Sequence, residues 1–241
     1  ACDEKPGKIS DMFKALFKND QAMTVVVSII LVYTSLNICG NLVLYFFRFD
    51  VGNEGAYSIF AAVAFAAQVL VMMVIPLLRK RFSKSQLFIS GFIIQIAGFA
   101  VILIMAFAKL YTPQSWYILC LPGILIYLGY GMLNVIMTIF LSDSVDYGEV
   151  INGTREESVI FSMQTFTVKL ASGVAVFLAG LVVDWIHLDT AAAVQTQDTL
   201  DALRMWMTIP SVILLIVGIF VFKRFYKLDD TRMEEIKSKL N

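Results

Sequence analysis

Val159-Ile-Phe-Ser-Met-Gln-Thr-Phe-Thr-Val-Lys-Leu-Ala-Ser-Gly-Val-Ala-Val-Phe-Leu-Ala-Gly-Leu-Val-Val-Asp-Trp-Ile186 is long and apolar enough to cross a bilayer as one helix, yet it carries Lys169 near its middle. At about 1.5 Å of rise per residue the ammonium lies roughly 15 Å inside a hydrocarbon layer about 30 Å thick. Neither headgroup layer is within comfortable reach, so the charge must face protein or water. A central Lys costs roughly 2.5–3.5 kcal/mol on insertion scales, and such residues mark substrate or ion pathways by default. A buried structural ion pair is the alternative.

Working outward, the same character recurs along the chain. Of 241 residues 59% are hydrophobic and only 16% are charged, and the apolar residues fall in blocks of about 20 or more. That pattern excludes an ordinary soluble domain and predicts an all-α, polytopic membrane protein with six spans, 21–47, 56–78, 85–107, 116–141, 158–186 and 203–222. A lead-in at 1–20, partly amphipathic, precedes the 21–222 bundle, and a charged tail at 223–241 follows it. The lead-in has neither a cleavable signal nor an initiator Met, so the numbering is expected to begin inside a longer polypeptide.

Six spans put both ends on one side. Outside the spans, fifteen Lys and Arg fall on that side, including Arg79, Lys80, Arg81 and Lys84, against Arg48, Lys109 and Arg204 on the other. The positive-inside rule therefore predicts cytoplasmic termini in a cytoplasmic (inner) membrane, with Lys223, Arg224 and Lys227 as anchors at the lipid boundary. A net formal charge of zero, with no basic stretch interleaved with aromatics, excludes nucleic acid as a partner. Cys2, Cys39 and Cys120 are too scattered for a disulfide framework or a metal site.

Polar residues inside the spans form stripes. At 100° per residue, Ser162, Thr165, Lys169, Ser172, Gly173, Val176 and Gly180 share an arc of about 100°. The glycines and Ser172 suit close helix packing. Thr165, one turn before Lys169, can meet a sugar oxygen or a cation through its hydroxyl, or bond back to its own helix. The fourth span carries Tyr127, Tyr130, Gly131, Asn134 and Thr138 on one side. Tyrosine rings stack on the C–H face of a pyranose while hydroxyl and amide groups bond its hydroxyls, and interhelical hydrogen bonding by Asn134 is the competing reading. Tyr33, Asn37, Asn41 and Tyr45 make a further ridge around Gly40; Gln68 reads as a cavity position and Gln95 as packing.

Catalysis finds no support: His187 is the lone histidine, and neither a Ser, His and acid set nor a phosphate loop is visible. Between spans four and five, Ser142-Asp-Ser-Val-Asp-Tyr-Gly-Glu-Val-Ile-Asn-Gly-Thr-Arg-Glu-Glu-Ser holds Asp143, Asp146, Glu149, Glu156 and Glu157 against Arg155. The first three, at i, i+3 and i+6, share a face if the span continues as a helix, and they need cationic partners. A solvated loop is the plainer reading; a calcium loop does not fit the spacing.

Leu141-Ser-Asp-Ser-Val-Asp-Tyr-Gly-Glu, Gly153-Thr-Arg-Glu-Glu-Ser and Phe161-Ser-Met-Gln-Thr-Phe-Thr-Val-Lys-Leu-Ala-Ser-Gly together resemble the glycoside-pentoside-hexuronide:cation symporters of the major facilitator superfamily. Phe46-Phe-Arg-Phe-Asp-Val-Gly-Asn-Glu is similar to the same family, less distinctively. The resemblance covers essentially the whole chain and implies the second, C-terminal half of a twelve-helix carrier, built as two inverted three-helix repeats. It implies a sugar and a coupling cation, Na⁺ or H⁺, as ligands, no other cofactor, and lipid as the surrounding medium. Lys169 and Thr165 match residues of sugar and cation coupling, and the one metal contact implied is Na⁺ at Thr165. The sugar site is expected at Lys169, Asn134, Tyr130, Tyr127, Asn37, Asn41 and Gln68, and Asp143, Asp146, Glu149 and Arg155 match a cytoplasmic gate that pairs with the other half. Asn134 departs from the best-known member of that family, where a tryptophan stands, which leaves the sugar open.

The family's dominant carboxylates lie in the first six helices. No span here has a central acid, Asp184 lying near the outer end of the fifth, so Lys169 lacks a counter-ion and an N-terminal six-helix half is expected as partner. The alternative is a non-transporting six-helix binding or structural protein derived from half a carrier.

Overall fold

The structure, a computed structural model, describes residues 18–153, 155 and 157–240. Most of the expected lead-in, with Lys5, Lys8 and Lys14, and also Cys2 and Glu156, lies outside the described residues. Six helices are long and apolar enough to span a membrane, with no strand among the described residues, so the chain is a multi-pass helical membrane protein. They are α1 (Asp20–Tyr45), α2 (Ala56–Leu78), α3 (Lys84–Phe107), α4 (Cys120–Asn152), α5 (Glu157–Trp185) and α6 (Gln197–Phe225); a short α7 (Asp230–Leu240) follows.

Local chemistry sets the ends. Asn19 caps α1 by accepting from the Ala22 N–H at 2.9 Å and donates its amide to the Ser144 carbonyl at 2.8 Å, tying the start of α1 to α4. Ser83 and Gln86 form a reciprocal capping box at α3, and Thr196 caps α6. Past α1 the chain widens into a π-helix, Phe46–Val51, stopped by Gly52 at φ 74°.

Two boundaries differ from the sequence reading. The fourth span does not stop at Leu141: α4 continues to Asn152 and ends at Gly153, φ 73°. No proline intervenes before that glycine, and ion pairs support the acidic turns across Gly148, so Asp143, Asp146 and Glu149 stand on a helix rather than in a loop. The sixth span begins at Gln197 rather than 203, so Arg204 stands about two turns inside the helix instead of at its edge, and it is 2% exposed. It is therefore not the solvent-side charge assumed in counting the positive residues, because a buried carboxylate receives it.

Packing follows a twofold pattern. α3 lies on α4 as α6 lies on α1; α2 lies on α4 as α5 lies on α1; α1 meets α4, and α3 meets α6, at the centre. Exchanging helices one to three for four to six reproduces the same list, as two inverted three-helix repeats require. The chain thus has the architecture of half a major facilitator fold. Ser35 and Ser211 hydroxyls each donate to the other's carbonyl, at 3.2 and 2.8 Å, across α1 and α6.

The α3–α4 contact is the closest. A Cβ on Gly129 would stand 2.6 Å from both the Gln95 nitrogen and the Gly91 carbonyl oxygen. Backbone cannot move aside as a side chain can, so Gly129→Ala is expected to cost about 1–3 kcal/mol by overpacking. A fall in the melting temperature of the detergent-solubilised protein checks this; an unchanged one would mean the two helices are not in this register.

Candidate functional site

α5 buries Ile160, Met163, Thr167, Ala171, Ala175, Ala179 and Val182, a seam at three- and four-residue steps directed at α1. Lys169 is two residues from both Thr167 and Ala171, on the opposite side of the helix, and is exposed. Among the described residues it has no hydrogen bond or ion pair. Thr165, exposed on the same face, donates its hydroxyl to the Phe161 carbonyl at 3.2 Å, so its oxygen lone pairs stay open. A Cβ on Gly173 or Gly180 would meet nothing within 4 Å, so this face is unobstructed.

The aromatic and amide residues of α1 and α4 do come together. Asn134 donates its amide to the Tyr33 hydroxyl at 2.6 Å, and the Tyr33 and Tyr130 rings meet edge to face with centroids 5.5 Å apart. Tyr127 meets Tyr130 likewise at 6.5 Å. The interhelical hydrogen bond weighed for Asn134 is therefore present, and it leaves the carbonyl oxygen of that amide available. Asn37 and Asn41 donate to the Tyr33 and Asn37 carbonyls of their own helix, both at 2.7 Å. Their side-chain oxygens are left as acceptors, suited to hydroxyl donors. Gln68 packs on Gly131, at one edge of the α4 stripe. Gln95 is fully buried, and neither of its side-chain polar atoms has a hydrogen-bond partner among the described residues.

At the end bearing the Arg79–Lys84 loop, the acidic residues find their cations within this chain. Lys84 and Asp143, each 5% exposed, form a close buried pair. Asp230 of α7 approaches Lys84 at 3.4 Å and Arg79 at 3.2 Å. Arg155 binds Asp146 at 3.1 Å, Glu149 at 2.8 Å and Glu157 at 3.2 Å. Apolar contacts of Leu228, Met233 and Ile236 with Tyr147 and Tyr226 press α7 onto α4.

Burial alone would raise the Asp230 carboxyl; the Arg79 hydrogen bond and the Lys84 and Arg79 charges outweigh it and hold it below its ordinary value of 3.8. A depressed folded-state value means the contribution to docking is complete above 3.8 and disappears only as the pH falls through the lower value. Protection factors of α7 amides, exchange rates divided by their pH-dependent intrinsic rates, are accordingly expected to stay constant from pH 7 to pH 5, whereas Asp230→Asn lowers them throughout that range. Loosening of the unaltered tail near pH 5 would contradict this.

The opposite end holds a cluster that sequence reasoning missed. Asp50, on the π-helix, accepts from the Arg204 Nε at 2.7 Å and is bound by its terminal nitrogen as well. Tyr111 donates to the same carboxylate at 2.7 Å, and Asp201 takes the other arm of Arg204, also at 2.7 Å. Side-chain exposure is 3% for Arg204 and 4% for Asp50. Burial first, and then the neighbouring Asp50 charge, push the Tyr111 phenol up, so it remains a donor. The acid in Phe46-Phe-Arg-Phe-Asp was the available signal, but its partner is 154 residues away. No group of three or more His, Cys, Asp or Glu among the described residues is arranged to hold a metal.

Comparison with known proteins adds to this geometry. A family profile described as MFS/sugar transport protein matches residues 2–230. The chain is similar to an uncharacterized symporter of Bacillus subtilis (25% identity over 97% of this chain and 49% of the relative). It is also similar to the raffinose carrier protein of Pediococcus pentosaceus (23%, covering 96% and 35%) and the isoprimeverose transporter of Lactiplantibacillus pentosus (25%, covering 92% and 44%). The chain spans about half the length of these relatives, or less.

Proposed function

This chain belongs to the MFS/sugar transport protein family, and from that premise we propose that it is the C-terminal half of a cation-coupled sugar symporter. Its ligand is a glycoside, pentoside or hexuronide and its coupling ion Na⁺ or H⁺. It works by alternating access in the cytoplasmic membrane with both termini inside. Relatives named for raffinose and isoprimeverose support a glycoside.

The observation that carries the reading is Lys169: a mid-span ammonium on the face of α5 turned away from its own bundle, exposed and without a partner among the described residues. Lipid cannot accept it, so an N-terminal six-helix half supplies the facing surface and the carboxylate. Lys169 and Thr165 then couple cation to sugar, and Asn37, Asn41, Gln68, Tyr127, Tyr130 and Asn134 supply rings and acceptors to the sugar hydroxyls. When the inner gate closes against the other half, Asp146 and Glu149 exchange Arg155 for its basic residues, while Asp143 keeps Lys84 and anchors the gate.

Uptake of a labelled glycoside and pentoside panel, with and without Na⁺, tests the reading in cells making this chain alone or together with a related first half. Cation-dependent accumulation confined to the paired cells is the expected result. No accumulation in either would leave a non-transporting bundle.

A further inference from the structure

We propose that the groove between α1 and α5, at the end opposite the Arg79–Lys84 loop, is a second sugar subsite that holds one ring of the transported sugar away from the midplane; this rests on the sugar-carrier reading above. The groove encloses about 360 Å³, within the lower range of small-molecule sites. It is lined by the polar Asn41, Tyr45 and Asp184 and by the apolar Val176, Ala179 and Gly180.

The chemistry is that of an amphipathic ring. Asn41 spends its amide N–H on the Asn37 carbonyl, which leaves its oxygen as an acceptor. The Asp184 side chain is exposed and has no partner among the described residues, a second acceptor. No Lys or Arg lines the groove, so the acceptors call for hydroxyl donors. A hard cation would need about six or more oxygens converging on one point, whereas here one carboxylate, one amide and one phenol line the groove together with apolar residues. Apolar residues suit the C–H face of a pyranose, as the polar groups suit its hydroxyls.

Position on the helix joins the groove to the midplane. Lys169, Gly173, Val176, Gly180 and Asp184 follow three- and four-residue steps on one face. Asp184 stands about 22 Å along the axis from Lys169, too far to share one ring with it. Gly173 and Gly180 keep the lane between them clear, since a Cβ at either meets nothing within 4 Å. Because Lys169 cannot face lipid, the same face is lined by protein or water along this length.

Within this half the space at Gly180 is open, so Gly180→Leu enters the groove without overpacking this bundle and Gly180→Cys probes the same point with little added bulk. In the full-length carrier containing this chain, Gly180→Leu and Asp184→Asn are each expected to raise the KM for labelled raffinose, lactose or isoprimeverose about tenfold, one or two lost hydrogen bonds, with kcat little changed. Gly180→Cys is expected to react with a membrane-impermeant thiol reagent and to be protected by saturating sugar, while Phe177→Cys is not protected. Unchanged KM values with transport intact, or labelling of Gly180→Cys indifferent to sugar, overturn the subsite and leave the carrier reading standing. Absence of any sugar uptake by the unaltered carrier overturns both.

Discussion

Lys169→Ala is expected to reduce cation-coupled sugar uptake by at least about 100-fold in the paired carrier while leaving this chain inserted and, on its own, no less stable. A hydrogen bond to a charged group contributes about 1.5–3 kcal/mol, roughly ten- to hundred-fold per contact, and an ammonium shared by sugar and carboxylate makes more than one. The stability half separates function from structure. Within this chain Lys169 has no partner among the described residues to lose, and removing a mid-membrane ammonium relieves insertion cost. The variant of this chain alone is therefore expected to melt no lower, whereas in the paired carrier the facing carboxylate is left without its partner. A lysine retained for packing would give the reverse pattern, a lowered melting temperature with residual transport. Lys169→Arg keeps the charge but not the point geometry of an ammonium, and partial uptake is expected. Full cation-driven accumulation by Lys169→Ala would remove Lys169 from the coupling mechanism. Initial rates in vesicles, set against melting curves of the same variants, decide between these outcomes.

Six spans were legible because lipid imposes one rule on every residue of a span, and α2, between Gly55 and Arg79, shows that rule with little else to disturb it. The polar face of α5 was legible for the same reason, since a 100° projection needs only one helix. What depends on two distant segments was not legible. Asp143, Asp146 and Glu149 looked like a loop because acids at a membrane edge usually are; Lys84, 59 residues away, and Arg155 neutralise them and let α4 run on. Arg204 looked like a boundary charge because its carboxylate sits on a π-turn that apolar periodicity does not announce. The back-bonding role of Thr165 and the proposed one coexist: its proton goes to the Phe161 carbonyl while its lone pairs remain for a ligand.

Asp50→Asn and Arg204→Met are each expected to destabilise the bundle by about 3–5 kcal/mol, because each leaves its partner's charge buried and uncompensated. For a domain of this length that corresponds to a fall of roughly 6–20 °C in melting temperature. Asp201 does not rescue Asp50→Asn, since at 39% side-chain exposure it is partly screened and binds only one arm of the guanidinium. The double variant Asp50→Leu, Arg204→Met is expected to recover most of the loss. A buried pair is strongly destabilising to break but often close to neutral to replace with apolar groups of similar size. Tyr111 then loses its acceptor, and that residual deficit, about 1–3 kcal/mol, should vanish when Tyr111→Phe is added. The cluster joins α6, the π-turn after α1 and the α3–α4 connection, so its role is to fix how the two repeats meet at this end. If the single variants melt no lower than the double, the pair is not buried as the structure places it, and the π-turn has no carboxylate to aim.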